Sequence, residues 1–240
     1  MNIAVIFAGG SGQRMNTESC PKQFLKLNGK PIIIYTLELF DSHEEIDGIV
    51  VACLEDWIPY LKELIQDYKL HKILDIVPGG ATGQDSIYNG LKSASTHCPE
   101  DSVVLIHDGV RPMIDARTIS DNILSVREHG SAITCIPASE TFVVYDEGGN
   151  MRIPSRANSF IARAPQSFVL KDILEAHERA RQEGKHDYID SCSMMNHYGH
   201  KLRMVPGPVT NIKITTPADF FIMKTMLEIH ENYQIFGFKL

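Results

Sequence analysis

The chain has 240 residues, 43% hydrophobic and 22% charged, with a formal net charge of −7. That composition is enough to bury a substantial core and excludes a disordered chain. The acidic balance argues against a nucleic-acid partner, because affinity for a phosphate backbone needs clustered Lys and Arg.

The length is long for one domain and short for two, so one α/β domain with an appended piece is expected. The opening "MNIAVIFAGG" has no basic n-region and no cleavage site, and reads as a first strand rather than a signal peptide. No apolar run approaches the roughly 20 residues of a membrane span. The five cysteines, at 20, 53, 98, 135 and 192, lie at least 33 residues apart, which suits neither a zinc site nor a disulfide framework. Cys53 and Cys135 sit inside apolar runs and read as buried thiols, pointing to a reduced, cytoplasmic protein.

Strands are expected at 2–7, 48–54, 72–78, 102–108 and 132–137, where successive rather than alternate residues are apolar, as in buried parallel strands. Helical patterns lie between them: "PIIIYTLELF", "DWIPYLKELIQDY", "GQDSIYNGLKSAS" and "ARTISDNILSVREHG". This alternation predicts right-handed βαβ crossovers and a mainly parallel sheet in a Rossmann-like three-layer sandwich. Residues 138–158 break the rhythm with two extended runs around "DEGGN", a hairpin too polar for the core and expected to project as an arm. The pattern resumes with a helix over 167–184, a strand at 201–207 and a helix over 215–233.

Ligands in such sheets sit beyond the carboxyl ends of the strands, so "AGGSGQR", "PGGATGQDS" and "HDGVRP" are expected to converge. The first is not a P-loop, lacking the terminal Gly-Lys-Ser/Thr. It is not a dinucleotide fingerprint either, since Arg14 stands in place of the third glycine. A glycine-rich backbone with a guanidinium fork, and Lys22 eight residues on, suits a triphosphate better than a dinucleotide. In the second stretch the glycines allow a flat base to lie on the backbone, Ser86 can donate to a base carbonyl, and Asp85 reads as a cap. In the third, Asp108 at a strand end suits Mg²⁺, substrate hydroxyls or an ion pair with Arg111, while His107 reads as packed. Lys213, placed between isoleucines in an expected short strand, must snorkel or meet an anion. Asp219 reads as the cap of the last helix.

The ordered motifs "AGGSGQRM…PKQF", "GG…DSI", "HDGVRP", "IPSR…APQSF" and "NIKITTPADF" resemble the cytidylyltransferases that make CDP-polyols, over nearly the whole chain. The resemblance implies a single nucleotidyltransferase domain over 1–240 that transfers CMP from CTP to a polyol phosphate and releases pyrophosphate. It implies a CTP site at Ala8, Gly9, Gly10, Gly12, Arg14, Lys22, Gly80, Ser86 and Asp108, with Arg14, Lys22 and Lys213 catalytic and Mg²⁺ on Asp108. The acceptor would be held by Asp108, Arg111, Lys213, Thr141 and Arg156, the last two on an arm that crosses to the other subunit of a homodimer.

Such a reaction needs no general base, because a phosphate monoester is mostly dianionic at neutral pH, its second pKa being about 6. The stretches "IPSRA", "EDW" and the cysteine after "DS" look closer to the ribitol 5-phosphate branch than to the 2-C-methyl-D-erythritol 4-phosphate branch. Gly83 stands where relatives usually carry an arginine, and Ile189 where both branches use a threonine. Those two departures are the only support for a silent nucleotide-binding module, and the missing third glycine disfavours a dehydrogenase.

Overall fold

The computed structural model describes residues 1–10, 20–186 and 188–236, with side chains through residue 229. In chain order it forms β1 (Asn2–Ala8), β2 (Lys26–Leu27), β3 (Lys30–Pro31), α1 (Ile32–Asp41), β4 (Gly48–Cys53), α2 (Ile58–Asp67), β5 (Ile73–Pro78) and α3 (Gly83–Ala94). Then come β6 (Val103–Asp108), α4 (Ala116–His129), β7 (Ser131–Pro137), β8 (Val144–Tyr145), β9 (Met151–Arg152) and β10 (Phe160–Val169). The chain continues through α5 (Leu170–Gln182), α6 (Ser191–His197), β11 (Met204–Pro206) and α7 (Pro217–Phe236).

The main sheet has the order β11-β7-β10-β6-β1-β4-β5, with β10 antiparallel to both neighbours and the other pairs parallel. Alternate residues of each central strand serve opposite layers. Ala4 and Ile6 of β1, Ile49 and Val51 of β4, and Leu105 of β6 pack under α1, α2 and α4. Ile3, Val5, Val50, Val104 and Ile106 pack on the other face against α3, α5 and α6. This explains the continuous apolar runs: a strand covered on both faces has no polar side to show. The strand order reverses at β1, which has β4 on one side and β6 on the other. The crevice beyond its carboxyl end is where such sheets take ligands.

Two expectations are corrected, and one helix is added. The helix expected over 167–184 begins at Leu170, because Ser167, Phe168 and Val169 end β10, a strand the periodicity did not reveal. Lys213 lies in an irregular segment rather than a strand, anchored where Ile214 N–H donates to the Val110 carbonyl at 3.1 Å. The short helix α6 was also unforeseen; Asp190 caps it, accepting from Ser193 N–H at 2.8 Å. Asp219 caps α7 as expected, accepting from the N–H groups of Thr215 and Thr216 at 2.9 and 2.7 Å.

The stretch 138–158 carries the small β8–β9 hairpin, turned at Gly149 with φ of 77°. Its apolar residues Val143, Tyr145, Met151 and Ile153 are exposed. Among the described residues no helix is long and apolar enough to cross a membrane.

The antiparallel strand is locked by a buried polar group. Asn122 of α4 donates to the Thr118 carbonyl at 2.9 Å and to the Thr134 hydroxyl at 3.0 Å, and accepts from the Ser167 hydroxyl at 2.9 Å. Asn122, Thr134 and Ser167 are fully buried. Replacing Asn122 by Leu strands two buried hydroxyls, each costing about 1–3 kcal/mol. Urea unfolding of Asn122→Leu is expected to show a loss of about 2–4 kcal/mol; an unchanged midpoint would mean that the group contributes nothing to the fold.

Candidate active site

Two glycine-rich loops meet at the end of β1. A Cβ on Gly9 would lie 2.6 Å from Ser86 Oγ and 3.3 Å from Gly79 Cα, so only glycine lets the loops pack this closely. Gln23, fully buried, donates to the Ala8 carbonyl at 2.6 Å and pins the exit of β1. The second loop is organised internally. Ser86 donates to the Thr82 carbonyl at 3.0 Å and accepts from Gly80 N–H at 3.0 Å. Asp85 accepts from the Thr82 hydroxyl at 2.9 Å, and Arg181 reaches over from α5 to pair with Asp85 at 2.6 Å. The Ser86 hydroxyl, expected to face a base, thus spends its proton holding the loop in shape.

At the end of β6, Asp108 is buried between two cations. Its Oδ2 accepts from Arg111 Nε at 2.7 Å and its Oδ1 from Lys213 Nζ at 2.6 Å. Burial alone would raise its pKa, but the Lys213 and Arg111 charges and their hydrogen bonds outweigh it and hold the carboxyl far below the usual range. Arg111 also donates to the Asn211 carbonyl at 2.9 Å, and Lys22 donates to the Ile214 carbonyl at 3.1 Å. Lysines 22 and 213, nearly 200 residues apart in sequence, therefore line one cavity.

That first cavity, about 540 Å³, is lined by Ala8, Gly9, Gly10, Lys22, Gly80, Ser86, Asp108 and Lys213 among others. A second, about 440 Å³, is lined by Asp108, Arg111 and Lys213 together with Arg163, Gln166, Ile189, Asp190 and Ser191. Phe7, Thr82, Gly83, Asp108 and Lys213 line both, so the two cavities share a wall. A side chain at Gly83 would meet open space. Gly12 and Arg14 lie outside the described residues. Thr141 and Arg156 are exposed on the arm and line neither cavity. Arg163, Gln166, Asp190 and Ser191 were missed by reasoning from sequence because they belong to β10 and α6, the unforeseen elements. Gln23 had a signal, sitting within the "PKQF" motif.

For Mg²⁺, Asp108 is the carboxylate at the shared wall, and no group of three or more His, Cys, Asp or Glu converges among the described residues. A carboxylate has about four lone-pair positions, of which two are taken here. The site therefore fits an ion held by one carboxylate together with substrate phosphates, the usual arrangement for Mg²⁺.

The sequence model described as IspD: 2-C-methyl-D-erythritol 4-phosphate cytidylyltransferase matches residues 2–229. The chain is 50% identical over 238 residues to a ribitol-5-phosphate cytidylyltransferase of Vibrio parahaemolyticus, covering 99% of this chain and 100% of that protein. It is 40% identical over 228 residues to a 2-C-methyl-D-erythritol 4-phosphate cytidylyltransferase of Clostridium botulinum, covering 95% and 97% of the two chains. Among solved structures, 4-diphosphocytidyl-2C-methyl-D-erythritol synthase from Anaerococcus prevotii superposes with a TM-score of 0.80 at 25% identity, covering 95% of this chain and 96% of its own.

Two histidines are buried around these loops. His107 packs on Phe40, with ring centroids 5.1 Å apart, and His177 on Tyr88 at 5.9 Å. Burial, aided by nearby arginine charge, pushes each from about 6.5 down to about 4, although Asp108 partly opposes this at His107. The unfolded chain takes up these protons near pH 6.5 while the folded chain resists until about pH 4. Stability is then full above pH 6.5 and falls as the pH drops. Asp108, with its pKa lowered, acts only below the ordinary aspartate value of 3.8 and does not enter that window. Between pH 6.5 and 5 the urea midpoint is expected to fall with uptake of up to two protons on unfolding, and His177→Gln to remove one of them. Identical slopes in parent and variant would refute the assignment.

Proposed function

The chain belongs to the IspD family of cytidylyltransferases, and from that premise we propose that it transfers CMP from CTP to ribitol 5-phosphate, releasing pyrophosphate and forming CDP-ribitol. The observation that carries the proposal is the shared wall of the two cavities, where Asp108 and Lys213 face both. One cavity offers glycine loops and lysines to a nucleoside triphosphate, and the other offers Arg111 and Lys213 to a phosphate monoester. The 50% identity to a ribitol-5-phosphate enzyme against 40% to a methylerythritol 4-phosphate enzyme supports ribitol 5-phosphate as the acceptor.

In this mechanism an oxygen of the acceptor's phosphate attacks the α-phosphorus of CTP, a P–O bond forms, and pyrophosphate leaves with the electron pair of the broken bond. The nucleophile is already ionised, so no base is needed. In keeping with this, His107, next to Asp108 in β6, is buried and held neutral and lines neither cavity. The work is to bring two anions together, which Lys22, Lys213 and Arg111 do by fixed charge, with Arg14 adding to the grip on the triphosphate. Lys213 is paired with Asp108 on the shared wall, so its ammonium is held in place before substrate arrives. Mg²⁺ held by Asp108 and the phosphates would neutralise further charge on the triphosphate. The cytosine lies against the backbone of the Gly80 loop, whose shape Ser86 maintains.

We further propose a single nucleotidyltransferase domain over 1–240 working as a homodimer, with 138–158 as the dimerisation arm. Exposed Val143, Tyr145, Met151 and Ile153 need a cover, and a two-fold partner supplies one. Thr141 and Arg156 would then complete the partner's acceptor cavity. The free cysteines suit a reducing, cytoplasmic setting.

Pyrophosphate release from CTP is expected with ribitol 5-phosphate and to be slower with 2-C-methyl-D-erythritol 4-phosphate. No release with any polyol phosphate would end the enzyme proposal. Lys213→Ala is expected to lower kcat about 10²–10³-fold, the usual cost of one preorganised charge donor. An Arg156→Ala chain mixed with a Lys22→Ala chain is expected to regain activity, because one site of the heterodimer is intact. A mixed dimer as inactive as its parents would show that the arm does not act in trans.

A further inference from the structure

The second cavity holds more than the charges already discussed. β10 shifts register between Ala162 and Gln166, and this irregularity brings Arg163, Ala164 and Gln166 to the cavity wall. Bulges of this kind re-aim side chains beside active sites. Arg163 is held by its donation to the Val209 carbonyl at 2.9 Å, and burial and then the neighbouring Arg111 charge lower its pKa from the usual arginine value. Arg111, Arg163 and Lys213 therefore face one cavity whose carboxylates are Asp108 and Asp190. Both carboxylates are already engaged, Asp108 by its two cations and Asp190 as the cap of α6. Two neighbouring guanidiniums beside a committed carboxylate leave positive charge to spare for an incoming anion.

A different kind of group lines the same cavity. Ser191 is 1% exposed and Gln84 8%, yet Ser191 Oγ and Gln84 Oε1 have no hydrogen-bond partner among the described residues. Such orphans are rare in native proteins and each calls for an explanation. Neither atom belongs to the fold's own networks, and both residues belong to the cavity lining. A ligand bearing hydroxyl groups would satisfy them.

We propose that this cavity reads a polyol phosphate at two poles: Arg163, on the same chain as Asp108, grips the phosphate beside Arg111, while Ser191 and Gln84 hydrogen-bond the acceptor's hydroxyls. This deepens the function proposed above and rests on it. The grip differs from that of Arg156 in coming from the chain that holds the cavity rather than from the partner's arm. It also gives β10 a role beyond closing the sheet.

The test is steady-state pyrophosphate release by the full chain, varying acceptor at saturating CTP and then CTP at saturating acceptor. Arg163→Ala is expected to raise KM for ribitol 5-phosphate tenfold or more while moving KM for CTP less than twofold, with Arg163→Lys recovering part of the loss. Ser191→Ala and Gln84→Met are expected to raise the acceptor KM about fivefold, the worth of one neutral hydrogen bond. Since neither atom is partnered in the free protein, these two variants are expected to keep or raise the urea midpoint. A purely structural role would lower it.

An unchanged acceptor KM in Arg163→Ala, or equal rises for acceptor and CTP, overturns the phosphate pole. A lowered urea midpoint with unchanged acceptor KM overturns the hydroxyl pole. If the parent protein turns over 2-C-methyl-D-erythritol 4-phosphate and not ribitol 5-phosphate, the acceptor assignment fails on its own. The same variants are then read on that acceptor, where an unchanged KM overturns this inference separately.

Discussion

A carboxylate buried between two cations sets the geometry of everything around it. Asp108 ends β6 with both oxygens committed, one to Arg111 three residues on and one to Lys213 from the far end of the chain. An unpaired buried carboxylate is untenable, so the segment before α7 must come to the β6 terminus, and it brings Lys213 to the wall between the cavities. Arg111 extends the tie to the Asn211 carbonyl, while Asn211 Nδ2 donates to the Ala164 carbonyl at 2.8 Å. One charge cluster thus joins a parallel strand, the irregular part of β10 and the approach to the last helix. The ion group contributes organisation more than net stability, since desolvating three charges offsets much of their attraction.

The rest of the site is built by loops that brace one another. Gly9 packs on Gly79 and Ser86, Gln23 holds the end of β1, and Arg181 holds Asp85 at the start of α3. A chemistry that works by positioning two anions depends on this kind of bracing, because charge donors help only when they are already aimed. The arm follows the opposite rule. It projects with its apolar side chains uncovered, and its two phosphate-binding residue types stand away from the cavities of their own chain.

Much of this was legible in residue order. The five parallel strands fall within a residue of their expected limits, because a strand buried on both faces must be apolar throughout. Four helices between them are equally plain, and three carry local boundary signals: Pro31 before α1, the cap at Thr82 before α3, and Asp115 and Gly130 at the two ends of α4. β10 was hidden because its sequence "FIARAPQSFV" mixes exposed, charged and buried positions with a proline and runs straight into α5 without a turn. Lys213 between isoleucines had either to snorkel or to meet an anion; it meets Asp108, which nothing local named.

Sequence by itself determined the layers, the two glycine loops at strand ends, the arm and the family-bearing motifs, because each depends on spacing within a short stretch. Tertiary structure alone decided which charges share a wall, that Ser86 serves its own loop, and that Arg163, Gln84 and Ser191 face one cavity. Ser86 apart, whose partners lie four and six residues away, those facts depend on contacts between residues from tens to nearly 200 positions apart, and on an antiparallel strand whose register shifts where it passes the site. Local periodicity carries no information about such meetings; only the closing of the sheet and the pairing of buried polar groups fixes them.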